Sequence, residues 1–138
     1  MIGLAVVVVV VVLLVVLLVV LRRRYVVARV WGHSMSPTFH DGERVVATRR
    51  RHYGVGDVIV FRPRPTADDV AWRIKRIAAI AGDPVPGWLP ADDPVVPAGR
   101  VVVVGDNTGH SEDSRQLGYI DVASVAGVVA HRPAPTGG

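Results

Sequence analysis

The first 21 residues contain no charged or polar side chain, and no other feature of the 138-residue chain limits its fold and location so strongly. At 1.5 Å per residue this Val- and Leu-rich run makes a helix of about 31 Å, close to the thickness of a bilayer's hydrocarbon core. A cleavable signal peptide would have an apolar stretch of about 7–15 residues, with a positive charge before it and a small-x-small site after it. This run has neither flank, and a single strand of its length does not suit a small domain. Residues 1–21 are therefore expected to form an uncleaved transmembrane anchor. Residues 22–132 would form one domain, since roughly 115 residues leave little room for a second core. Arg22, Arg23 and Arg24 follow the run and no Lys or Arg precedes it. Taken alone, that asymmetry favours a cytoplasmic domain.

The chain has no cysteine, which excludes a disulfide framework, a zinc–thiolate site and a thiol protease. Its net charge of +4 does not argue for nucleic acid, because the arginines are dispersed and cluster only at residues 22–24 and 49–51. Contact with lipid headgroups accounts for the first cluster and a solvated turn for the second. Of the 16 basic residues, 15 are Arg and one, Lys75, is Lys. A coding bias explains the arginines and leaves the exception to be explained.

Beyond the anchor, short runs of Val, Ile and aromatic residues alternate with Gly, Pro, Asp and His, the pattern of strands and turns. Strands are expected at residues 25–31, 44–48, 57–61, 72–79, 100–104 and 125–131. Turns are expected at His40-Asp41-Gly42 and at Tyr53-Gly54-Val55-Gly56, with a loop over 63–69. Residues 82–99 hold five prolines and three aspartates and read as an irregular connection, and residues 133–138 as a disordered tail. The fold class is mainly β, a small folded sheet or barrel-like domain behind one helix.

Three segments carry groups capable of chemistry. Gly32-His33-Ser34-Met35-Ser36-Pro37-Thr38 places a serine between a strand end and a proline turn, where backbone amides can converge on a bound carbonyl. The same hydroxyls could simply satisfy turn hydrogen bonds. In Trp72-Arg73-Ile74-Lys75-Arg76-Ile77, strand alternation puts Trp72, Ile74 and Arg76 on one face and Arg73, Lys75 and Ile77 on the other. A partly apolar setting that lowered the Lys75 pKa by about two units would leave neutral amine near pH 8, able to accept a serine proton. Arginine cannot do this, because its pKa stays above about 12. The third segment, residues 105–118, surrounds turn formers with hydroxyls, carboxylates and Arg115. Its spacing does not fit the 12-residue calcium loop, so it reads as a hydrogen-bonded brace and not a cation site.

Together these segments resemble the motifs of the type I signal peptidases, serine proteases with a Ser/Lys dyad. A G-x-S-M-x-P-T segment appears at residues 32–38 and a G-D-[IV]-[IV]-x-F strand at 56–61. A K-R-[IV] strand appears at 75–77 with Gly82-Asp83 after it, and a G-D-N-x-x-x-S-x-D-S-R-x-x-G segment at 105–118. The resemblance implies Ser34 as nucleophile and Lys75 as general base. It also implies a hydrogen bond from Ser111 to Lys75 and an Asp113–Arg115 charge pair bracing the loop. The Ser34 backbone N–H would be one oxyanion donor; a second hydroxyl donor two residues earlier is lacking, because Gly32 stands there. Met35, Phe39 and Ile74 would line pockets for small substrate residues, while His33 and His110 would have no catalytic role. The implied partners are exported precursors and membrane lipids, without cofactor, metal or nucleic acid. The implied location is a single-pass membrane protein with its domain outside, against the arginine asymmetry. A maturation protease with one client, or an inactive peptide-binding module, are the alternatives. Only about 21 residues separate Asp83 from Gly105, where larger relatives insert a further β region, and Ala81 replaces a proline.

Overall fold

The computed structural model of the chain describes residues 1–63 and 72–129. Helix α1 (Ile2–Arg24) is apolar all round with no buried residue, as a helix surrounded by lipid would be. It is long and apolar enough to cross a membrane. It runs three residues past the expected anchor, so that Arg22, Arg23 and Arg24 form its last turn. Cations there complement the helix dipole and can reach outward to headgroups. Strand β1 (Tyr25–Arg29) follows with no linker, and the Arg49 amide donates to the Arg24 carbonyl at 2.9 Å, tying helix to domain.

The strands β2 (Arg44–Thr48), β3 (Val58–Phe61), β4 (Arg73–Ile80), β5 (Arg100–Val104), β6 (Ile120–Asp121) and β7 (Val125–Val129) join β1 in one curled antiparallel sheet. Its order is β1-β2-β7-β3-β4-β5-β6, which makes a half-barrel and bears out the mainly β expectation. The last strand enters between β2 and β3. Gly127 permits this crossing, since a Cβ there would lie 2.9 Å from the Thr48 carbonyl group.

Strand β3 shows why its sequence is continuously apolar. Val58 and Val60 enter one core with Ala28, Met35, Phe39 and Ile74, while Ile59 and Phe61 enter a second with Ile77, Val101, Val103 and Val128. A strand buried on both faces has no polar side to show. Ile74 and Ile77 fall in different cores, as alternation along β4 predicts. A register shift between Ile77 and Ala79 then turns Ala79 to a third cluster with Leu89, Val96 and Val102. That cluster lies under residues 82–99, which are irregular apart from a bridge between Pro84 and Val95.

Expected strand limits differ at the ends. β1 stops at Arg29, β3 starts after Asp57 because that carboxylate caps the Gly54 amide in a turn, and β4 extends to Ile80. The two-residue β6 was not expected, being too short to show a period. Positions 64–69 of the expected loop, the end of the last strand beyond Val129, and the tail at 133–138 lie outside the described residues.

Candidate active site

Beyond β1 the chain leaves the sheet in a tight turn. Gly32 has φ +77°, a conformation that disfavours any residue with a Cβ, and its N–H donates to Asp41 Oδ1 at 2.9 Å. This accounts for a glycine where a hydroxyl donor was sought. Met35 and Phe39 are buried in the first core and pin the turn from below. Asn107 holds it from the other side, its N–H donating to the Ser34 carbonyl at 2.8 Å and its Nδ2 to the His33 carbonyl at 2.9 Å. Ser34 is thus fixed through its backbone, leaving its side chain to face Lys75.

Lys75 Nζ lies 2.7 Å from Ser34 Oγ, within hydrogen-bond reach. Lys75 itself is only 4% exposed. Burial, helped by the neighbouring Arg73 cation, lowers its pKa to about 8, while Asp113 and Glu112 pull the other way. The amine is therefore poised to exchange a proton with the serine close to neutral pH.

The loop at 105–118 grips the pair. Asp113 is fully buried and caps the short helix α2 (Ser114–Leu117). It accepts hydrogen bonds from the Gly105 amide at 3.0 Å and from Arg115 Nε at 2.9 Å, so the expected charge pair is present. Arg115 also donates to the Thr108 carbonyl at 2.8 Å. Burial alone would raise the Asp113 carboxyl, but the bonds from Arg115 and Gly105 outweigh it and hold the pKa below the ordinary value. Gly105 is required by crowding, since a Cβ there would lie 2.7 Å from the Ser34 carbonyl oxygen and would strike Ser111 Oγ.

Two expectations need correction. Among the described residues Ser111 Oγ is buried without a hydrogen-bond partner and makes no bond to Lys75; it packs closely against Gly105 instead. Phe39 does not wall the cavity beside the dyad; it is 1% exposed and packs in the core beneath. Met35 and Ile74 do line that cavity, of about 390 Å³, together with Ser34, Lys75, Trp31 and Trp72. His33 and His110 line it as well.

Sequence reasoning missed the buried pair of Arg76 and Asp106. Arg76 Nε and Nη2 donate to the two Asp106 oxygens at 2.9 and 2.8 Å, and Nη1 donates to the Gly56 carbonyl at 2.8 Å. Thr38 Oγ1 adds a bond of 2.6 Å to the same carboxylate. Each of the four motifs contributes a member to this network, and that shared membership was the available signal.

The family model described as "Signal peptidase, peptidase S26" matches residues 2–87 and 85–132. The chain is 32% identical over 123 residues to "Mitochondrial ATP-independent inner membrane protease subunit 1b" of Arabidopsis thaliana, covering 79% of this chain and 70% of that protein. It is 29% identical over 144 residues to "Signal peptidase IB" of Staphylococcus aureus (strain COL), covering 73% of each. With the family model spanning nearly the whole chain, this protein belongs to the signal peptidase family, peptidase S26, and is a serine endopeptidase.

Proposed function

We propose that the chain is a membrane-bound peptidase that removes signal peptides from exported precursors, using Ser34 as nucleophile and Lys75 as general base. The observation that carries this reading is the 2.7 Å approach of Lys75 Nζ to Ser34 Oγ in a setting that lowers the amine's pKa to about 8. At pH 7 about a tenth of such an amine is neutral. Neutral Lys75 takes the Ser34 proton as Oγ attacks the scissile carbonyl, and the Ser34 backbone N–H donates to the developing oxyanion. The resulting ammonium protonates the leaving amine, and the regenerated base activates water to hydrolyse the acyl-enzyme.

Two strands beside the dyad support an extended substrate. Among the described residues β1 pairs with β2 on one side, and β4 pairs with β5 from Arg76 onward. Both border the cavity beside the dyad, and a peptide laid between them would gain main-chain hydrogen bonds on each side. Met35 and Ile74 would favour small side chains next to the cut. Helix α1 would hold the domain at the membrane surface where precursors emerge, raising the effective concentration of their cleavage sites. The domain would lie outside the cell, with Arg22–Arg24 at outer-leaflet headgroups.

The test is processing of exported precursors in membranes carrying wild-type, Ser34→Ala or Lys75→Arg protein. Both variants should leave precursors uncut. Lys75→Arg keeps the charge and removes the base, so substantial processing by it would sink the dyad. Processing of one precursor alone would mark a dedicated maturation protease.

A further inference from the structure

The cavity beside the dyad holds an ion pair that the reaction as described does not use. Arg73 Nη1 lies 3.3 Å from Glu112 Oε2, joining β4 to the loop at 105–118 across the site. Both residues line the same cavity as Ser34 and Lys75. Arg73 stands two positions before Lys75 on β4, so their side chains leave the same face of the strand. Glu112 lies between Ser111, packed on Gly105, and Asp113, the buried brace.

The Glu112 side chain is 53% exposed, and so open an ion pair adds little to folding. Its charges nonetheless act on a nearly buried neighbour, where they are less screened than in water. We propose that Arg73 and Glu112 are positioning residues that set the pH at which Lys75 can take the proton of Ser34. This rests on the Ser34/Lys75 reading above. The Arg73 cation disfavours a second positive charge on Lys75, and Glu112 favours it. By pairing with Arg73, Glu112 also offsets that cation's effect. Among the described residues, Arg29 and His33 from the nucleophile side and His110 and Asp113 from the loop are the other ionisable groups facing the amine. Their contribution is common to every variant below.

The test is kcat/KM against pH for the full-length protein in detergent micelles with a peptide substrate. Activity that needs neutral amine rises with pH through the Lys75 pKa, giving an acid limb. Glu112→Gln should move that limb to lower pH by roughly half a unit to one unit, a threefold to tenfold gain on the limb. Arg73→Gln should move it up by a similar amount, Arg73→Lys should restore it, and the double Gln variant should fall between the single ones. If both single variants lose activity while their limbs stay at the wild-type position, the pair only shapes the cleft and the proposal is overturned. Cleavage retained by Ser34→Ala would instead overturn the dyad reading, and this proposal with it.

Discussion

A lysine amine can take a proton near neutral pH only where water is largely kept from it, and Lys75 sits in such a place beside a repelling arginine. The residue was legible in the sequence because 15 of the 16 basic positions use arginine, which cannot lose its proton, and this one does not. That Ser111 makes no bond to Lys75 was not legible, because it depends on how closely its hydroxyl packs against Gly105. Gly105 gives a test at this scale. Adding one methyl group in Gly105→Ala forces the Ser34 carbonyl or Ser111 to shift. Misplacing a nucleophile by a fraction of an ångström should lower kcat/KM by roughly tenfold to a hundredfold. Peptide cleavage by a variant whose unfolding midpoint stays near that of wild type would measure it.

Among the elements, the strands were readable from their apolar runs, and β2 and β5 have the expected limits. What the runs could not show is that β7 inserts between β2 and β3, since neighbours in a sheet need not be neighbours in the chain. Nor could they show the Arg76–Asp106 pair, whose members are 30 residues apart and meet where β4 pairs with β5. The brace at Asp113 carries the element-scale prediction. Asp113→Ala removes the cap of α2, leaves the Gly105 amide without its acceptor and unpairs Arg115. Unfolding in denaturant should show a loss of about 2–4 kcal/mol, with cleavage falling as the loop loosens. The pH dependence of stability follows from the same carboxylates. Asp106 and Asp113 both have pKa values lowered on folding: burial opposes the shift, and hydrogen bonds from Arg76 and Thr38 in one case and Arg115 and Gly105 in the other outweigh it. Their contribution is fully present above the unfolded carboxyl value of about 3.9 and is lost as pH falls through the lower folded values. Wild type should therefore lose stability on acidification in that window, and Asp113→Ala should lose less, as melting followed against pH would show.

For the whole molecule, the question is on which side of the membrane the domain stands. In the proposed arrangement, α1 running directly into β1 would keep the Ser34/Lys75 pair near the membrane surface marked by Arg22–Arg24. Those arginines favour the cytoplasm, and cleavage of exported precursors requires the far side. A reporter fused after Gly138 should be active outside the cell, and activity confined to the cytoplasm would contradict the proposed orientation. Sheet and loop bring one amine to one hydroxyl, and the pH profile of kcat/KM for the purified full-length protein reads that contact most directly. The Ser34/Lys75 dyad predicts an acid limb near pH 8 in wild type, with cleavage abolished in Ser34→Ala and Lys75→Arg. A limb near the ordinary histidine value of about 6.5, or substantial cleavage by Lys75→Arg, would contradict it.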